Sequence, residues 1–115
     1  MLKSLLLASA VVAGSSVAFA GDVATGAAPT VIVIRNMEFS LPIVTVEPGT
    51  TVTWVNEDET PHTATDKGKV FRSAALDTSD RFSYTFAQSG EFTYHCTMHP
   101  MMVGKIVVKP AGSSS

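Results

Sequence analysis

One short segment near the end of the chain concentrates side chains that bind soft metal ions. Residues 94–104 contain the only cysteine, two of the three histidines and three of the five methionines of the protein. Within this segment Cys96, His99 and Met102 follow one another at intervals of three residues. The third histidine, His62, lies far upstream. Together these residues offer one thiolate, two imidazoles and one thioether, which is a ligand set for a single metal ion.

This ligand set favours copper over zinc. Two imidazoles and a thiolate in a trigonal plane, with a weak axial thioether, form the blue-copper centres that transfer electrons, because soft sulfur suits Cu(I) and imidazole suits Cu(II). Structural zinc sites are closed by cysteine, histidine or carboxylate ligands, and a thioether is not in that set. The predicted cofactor is therefore one copper ion, and its predicted ligands are His62, Cys96, His99 and Met102.

The beginning of the chain has the pattern of a secretory signal peptide. Lys3 supplies a positive charge, residues 5–13 are almost wholly apolar, and residues 18–20 have the small-x-small form of a cleavage site. The apolar run is interrupted at residues 14–16 and is shorter than the roughly 18 residues that a membrane-spanning helix needs. We therefore predict that residues 1–20 are removed, that the protein is exported to the periplasm, and that the mature chain does not insert into a membrane.

Without the signal peptide the chain is predicted to form one small domain. Removing 20 of the 115 residues leaves 95, which is too few for two domains. Loss of Lys3 changes the net charge from −2 to −3, and this mild acidity offers no basic surface for nucleic acid. A lone cysteine cannot form an internal disulfide, and metal binding explains its presence in an exported protein. We expect a monomer with a flexible leader at 21–29, the domain at 30–110 and a disordered tail at 111–115.

The predicted domain consists of short strands separated by turns. Runs of β-branched or alternating apolar residues, bounded by proline, glycine or asparagine, identify these strands. No segment has a strong helical pattern, so we predict an all-β fold, an antiparallel β-sandwich of about seven to eight strands. Lys69–Arg72 is interpreted as a short strand and Ala74–Leu76 as a helical turn. The other predicted strands are Thr30–Arg35, Ile43–Glu47, Thr51–Asn56, Arg81–Phe86, Glu91–Cys96 and Lys105–Lys109.

Loops at one end of such a sandwich must bring the predicted ligands together. Residues 57–61 are polar, acidic and end in proline, so they are predicted to form a loop that delivers His62. The acidic residues at 57–59 are interpreted as a solvated loop, with electrostatic steering of a basic partner as the alternative. His95 precedes Cys96 along a strand and therefore faces the opposite side, which makes it a bystander and not a ligand.

Five motifs give the chain a resemblance to a known family. They are V-T-V-E-P-G, T-V-T-W-V-N, P-H, Y-H-C-T-x-H-P-x-M and G-K-I-V-V, in this order between Val44 and Val108. This run resembles the cupredoxins of the plastocyanin and azurin type and, within them, the amicyanin-like group, which has the short C-x-x-H-x-x-M spacing. The resemblance implies a Greek-key β-sandwich, a blue copper site and transfer of single electrons.

The resemblance also implies a role for each ligand. The histidines His62 and His99 and the thiolate of Cys96 would be equatorial, and Met102 would be axial. His99 would lie at the exposed edge of the site, inside an apolar patch through which electrons pass. Met101, beside Met102, stays open as an alternative axial ligand.

Three further residues are expected to support the ligands. The resemblance implies that Asn56 ties the two ligand loops together through hydrogen bonds near Thr97. The family commonly has asparagine after the first histidine, whereas this chain has Thr63. We expect the backbone N–H of Thr63 to remain available to the thiolate, and its side chain to contribute nothing.

The predicted function is one-electron transport by an exported copper protein. All four ligand positions are filled, which leaves no position for a substrate, so we predict that the protein is not an enzyme. The resemblance implies redox partners such as a c-type cytochrome and an amine dehydrogenase. Met98 and Met101 suggest the alternative of periplasmic Cu(I) storage or delivery. Two other hypotheses are an enzyme with Cys96 as nucleophile and a β-sandwich that binds no metal.

Overall fold

The computed structural model describes residues 28–112 of the chain. The predicted signal peptide, most of the predicted leader and the last three residues of the predicted tail lie outside this range. Residues 28–112 form eight strands and no helix. No helix in this described part is long and apolar enough to cross a membrane.

The eight strands form two four-stranded sheets packed face to face. The sheet orders are β2-β1-β4-β6 and β3-β8-β7-β5. The all-β sandwich predicted from the sequence is confirmed. The strands are β1 (Thr30–Arg35), β2 (Glu38–Phe39), β3 (Ile43–Val46), β4 (Thr50–Asn56), β5 (Thr65–Asp66), β6 (Arg81–Phe86), β7 (Gly90–Cys96) and β8 (His99–Val108).

The sheets are mixed, although the sequence patterns predicted antiparallel pairing. β1 and β4 run parallel, as do β3 and β8, while the other neighbouring strands are antiparallel. The chain leaves the first sheet after β2, crosses to the second sheet as β3 and returns as β4. Because of this crossing, β4 lies beside β1 in the same direction and not as its hairpin partner.

The core lies between the sheets and is centred on aromatic rings. Alternate residues of β1, β4, β7 and β8 point inward, as period-two patterning requires. The Trp54 ring stacks on Phe71 at a centroid distance of 5.2 Å and meets the edge of Tyr94 at 5.3 Å. Cys96 is fully buried and continues the inward face of β7 beyond Tyr94. The rigid core therefore extends directly to the predicted thiolate ligand.

The segment between β5 and β6 differs from its prediction. Lys69–Arg72 is not a strand, although Arg72 forms an isolated β-bridge with Thr65. Ala74–Leu76 is not a helical turn, because Leu76 is bridged to His62 in extended conformation by two backbone hydrogen bonds of 3.1 and 2.7 Å. Phe71 and Leu76 are both buried in the core. Burial of these side chains overrides the local helical preference of Ala-Ala-Leu.

Tyr94 is expected to make the free energy of unfolding decrease as pH rises in the alkaline range. Burial raises the pKa of Tyr94 to about 12 from its ordinary value of 10.0. Since the folded state keeps the phenol proton to higher pH, this contribution is complete below about pH 10 and is lost as pH rises to about 12. The loss amounts to roughly 2–3 kcal/mol. Urea midpoints of the native chain and of Tyr94→Phe, measured from about pH 8 to 12, check this. Parallel pH profiles for the two proteins would contradict it.

Candidate metal centre

Three of the predicted ligands meet at one end of the sandwich. The donor atoms of His62, Cys96 and His99 all lie within 4.8 Å of one another. Cys96 Sγ is 3.7 Å from His62 Nδ1 and 3.6 Å from His99 Nδ1. His62 and Cys96 are fully buried, and His99 is partly exposed. The cluster therefore consists of one sulfur flanked by two ring nitrogens, open to the surface on the side of His99.

The spacing of these atoms fits a single metal ion. Bonds of about 2.0–2.1 Å to a histidine nitrogen and 2.3 Å to a cysteine sulfur, at about 120° to each other, separate the two atoms by about 3.8 Å. The observed separations of 3.7 and 3.6 Å agree with this value. Both histidines present Nδ1 to the sulfur, so the two nitrogens and the sulfur could all bind the same ion.

A tight hairpin between β7 and β8 positions Cys96, His99 and Met102. Cys96 pairs directly with His99 across a two-residue turn, so β8 begins at His99 and not near Lys105 as predicted. The next pair is His95 with Val103, which leaves residues 100–102 of β8 as a bulge with no counterpart on β7. Met102 is buried in this bulge with 7% of its surface exposed. The bulge thus lies next to His99 in the chain and turns the Met102 side chain inward.

Burial separates the two candidate axial ligands. Met101 is 95% exposed, whereas its neighbour Met102 is buried. A thioether that is almost fully exposed does not face the buried cluster. Met102 is therefore favoured over Met101 as the axial ligand.

His62 is fixed by its backbone and by its second ring nitrogen. Its N–H and C=O bond to Leu76, and its Nε2 lies 2.9 Å from Asp58 Oδ2. With Nε2 bonded to the carboxylate, Nδ1 is left to face Cys96. This arrangement selects the ring nitrogen that is available to a metal ion.

The comparison with known sequences agrees with this geometry. The family of copper binding proteins described as the plastocyanin/azurin family matches residues 27–109. The chain belongs to this family. As a cupredoxin, it has a site that fits one type 1 copper ion, and it is an electron-transfer protein, not an enzyme.

Individual relatives include amicyanins and a plastocyanin. The chain is 39% identical to amicyanin from Paracoccus denitrificans over 95 residues, which cover 78% of this chain and 71% of the relative. It is 35% identical to plastocyanin from a Synechococcus strain over 124 aligned positions, covering 90% of each protein.

Solved structures of relatives share the same fold. A Cu(I) form of an amicyanin variant superposes with a TM-score of 0.66 at 33% identity, covering 70% of this chain and 81% of that one. A purple cupredoxin from Nitrosopumilus maritimus gives a TM-score of 0.65 at 33% identity, covering 70% of this chain and 99% of that one.

In this cupredoxin Asp58 connects His62 to a distant turn. Its carboxylate accepts hydrogen bonds from the N–H groups of Asn36 and Met37, at 2.7 and 2.9 Å, as well as bonding the His62 ring. Desolvation would raise the pKa of Asp58, but the Met37 and Asn36 N–H groups and the His62 ring together hold that pKa below its usual value. The carboxylate is therefore charged where it meets His62.

The acidic segment 57–59 is thus not simply a solvated loop as predicted. Asp58 bonds His62 and the β1–β2 turn, and Glu57 forms an ion pair with Arg35. Sequence reasoning missed Asp58 because its turn partners lie more than 20 positions away. The one local signal is its spacing of four residues from His62.

Thr63 links the two ligand segments, and the prediction that its side chain contributes nothing is wrong. Its backbone N–H donates to Cys96 Sγ at 3.3 Å, as expected. Its hydroxyl accepts a hydrogen bond from the Thr97 N–H at 2.8 Å and lies 3.0 Å from the Thr97 hydroxyl. The threonine pair therefore holds the Thr63 N–H donor in place against the sulfur.

In this cupredoxin, the side chain of Asn56 forms hydrogen bonds near His62 and not near the β7–β8 hairpin. Its side-chain Nδ2 donates to the carbonyls of Leu76 and Thr60 at 2.7 and 3.0 Å, and its Oδ1 accepts from the Asp58 N–H at 2.9 Å. None of its described hydrogen bonds reaches Thr97, in contrast to the prediction. Asn56 therefore orders the segment that carries Asp58 and His62, while Thr63 joins that segment to the hairpin.

His95 lies outside the metal cluster. It pairs with Thr65 of β5 and Val103 of β8 in the middle of its sheet. Within residues 28–112, its Nδ1 is buried and has no hydrogen-bond partner. Successive residues of β7 face opposite sides of the sheet, so the strand that points Cys96 into the core points His95 away from His62 and His99.

Proposed function

We propose that this cupredoxin transfers single electrons between other redox proteins, with His62, Cys96, His99 and Met102 as the ligands of its copper. The observation that carries the proposal is the position of Cys96 Sγ, flanked by two histidine nitrogens at 3.6 and 3.7 Å. When bound, copper supplies the one-electron chemistry by alternating between Cu(II) and Cu(I). The protein supplies ligand positions that suit both oxidation states.

The contacts around the ligands limit their movement. His62 is held by Leu76 and Asp58, and Cys96 by the core, the hairpin and the Thr63 N–H. Ligands that stay in place need little rearrangement when the charge of the ion changes, which favours fast electron transfer. His99 is the one partly exposed member of the cluster, so we propose that electrons enter and leave along its edge.

We further propose export to the periplasm and partners of the kinds that the resemblance implies. The signal-peptide pattern of residues 1–20 supports export. The similarity to amicyanins supports an amine dehydrogenase as electron donor and a c-type cytochrome as acceptor. A single chain carries all four proposed ligands, so a monomer is sufficient for this function.

The visible and EPR spectra after addition of one equivalent of Cu(II) test the proposal. We expect an intense cysteine-to-copper absorption in the visible range and a narrow copper hyperfine splitting. Cys96→Ser and His62→Asn should each abolish the absorption. His95→Asn changes a histidine outside the cluster and should leave it unchanged. A colourless protein that binds only Cu(I) would contradict electron transport and favour Cu(I) storage or delivery.

A further inference from the structure

A groove next to His99 is lined by methionine residues from distant parts of the chain. All four methionines of residues 28–112 line this one groove, which has a volume of about 780 Å³. His99, Phe39 and two prolines line it as well. Two of the methionines are half-exposed, at 41% for Met37 and 44% for Met98, and Met101 is almost fully exposed. Thioethers therefore lie on the surface immediately outside the copper site.

The position of Met37 requires an unusual backbone conformation. Met37 and Asn36 form the β1–β2 turn with φ values of 62° and 56°, the left-handed region that a type I′ turn needs. A long side chain adopts this conformation only when its surroundings fix it. Here the Asp58 carboxylate accepts the N–H groups of both turn residues. The carboxylate that orients His62 thus also places a methionine in the groove.

Thioethers and imidazole in one groove form a ligand set for Cu(I). Soft sulfur ligands select Cu(I) over harder ions such as Mg²⁺ and Ca²⁺. The groove includes His99 and the buried Met102, both of which are ligands in the proposed function. An ion held by the outer methionines is therefore next to two ligands of the inner site.

We propose that the groove is a second Cu(I) site formed by the thioethers of Met37, Met98 and Met101. When the inner site is empty, the groove passes its ion inward by way of His99 and Met102. The transfer is an exchange of ligands at constant oxidation state, so no electron has to be supplied. The inner copper site of the proposed function is a premise of this inference. In the competing view, the same methionines act only as an apolar contact surface for a redox partner.

An anaerobic Cu(I) titration followed by NMR distinguishes these views. The protein carries ¹³C-labelled methionine methyl groups, and Cu(I) is added from a weakly binding complex. The first equivalent should shift Met102, because the thiolate site binds more tightly. The second equivalent should shift Met37, Met98 and Met101. If it leaves these three signals unmoved, the second site does not exist.

Leucine substitutions provide the matched test. Met37→Leu/Met98→Leu/Met101→Leu keeps the groove apolar but removes its outer sulfur atoms. This variant should bind one equivalent of Cu(I) and not two, and it should load the inner site at least several-fold more slowly from limiting Cu(I). Val70→Leu, an exposed apolar position outside the groove, should behave like the native chain.

The outcomes separate this inference from the proposed function. Native stoichiometry and loading rate in the triple variant would overturn the second site and leave the inner site intact. Failure of the first equivalent to bind in the native protein would overturn the proposed function itself. After oxidation the triple variant should show the native visible absorption, because its inner ligands are unchanged.

Discussion

Gly104→Ala is expected to destabilise the protein by roughly 3 kcal/mol, near the upper end of the usual range for an overpacked core. Gly104 lies directly opposite Tyr94 in the β7–β8 pairing. An added Cβ would overlap Cζ and Oη of the tyrosine ring and approach its Cε1 to 2.8 Å. The ring cannot move aside, because it is fully buried between Phe39 and Trp54, at centroid distances of 4.7 and 5.3 Å.

Urea denaturation of the copper-free protein measures this effect. Gly49→Ala is the matched control, because Gly49 has a φ of 94° but no atom within 4 Å of an added Cβ. Its free energy of unfolding should fall by only about 1 kcal/mol, the strain of placing alanine at this positive φ. Equal destabilisation by the two variants would mean that the contact with Tyr94 is not what requires glycine at 104.

The elements that could be predicted are those whose signal is local. The apolar alternation in Arg81–Phe86 and the β-branched run in Thr30–Arg35 both predicted strands with the bounds that the structure has. The dipeptide Pro48-Gly49 is likewise typical of a turn, and the turn is closed by a 3.2 Å hydrogen bond from Thr50 N–H to the Glu47 carbonyl. Each of these patterns depends on neighbours within a few residues.

The features that could not be predicted depend on residues far apart in the chain. The pairing of β1 with β4 follows from a crossing between sheets, which no local pattern records. Asp58 acquires its role from a turn at 36–37, and Met37 reaches the groove through that same turn. The ligand spacing predicted the metal cluster, because Cys96 and His99 are close in sequence. The supporting contacts of His62 became visible only in the fold.

Asp58→Asn is expected to weaken copper binding about 10- to 100-fold, the usual range for groups that orient a metal-bound histidine. The carboxylate lies 2.9 Å from His62 Nε2 and makes the ring a stronger donor through Nδ1. Removing its negative charge disfavours Cu(II) more than Cu(I), since Cu(II) carries the larger charge. The reduction potential should therefore rise. Competition with a chelator measures the affinity, and a redox titration measures the potential.

Asparagine is the informative substitution because it keeps an oxygen that can accept from the β1–β2 turn. Glu57→Gln removes the same charge one position away, where the carboxylate pairs with Arg35 and not with His62. It should leave both the copper affinity and the reduction potential close to native values. If Asp58→Asn also left the copper affinity and the reduction potential close to native values, the carboxylate would serve the turn alone. If both variants raised the potential equally, the effect would come from the charge of the loop. Only a large change confined to position 58 supports a direct bond between the carboxylate and the copper-binding histidine.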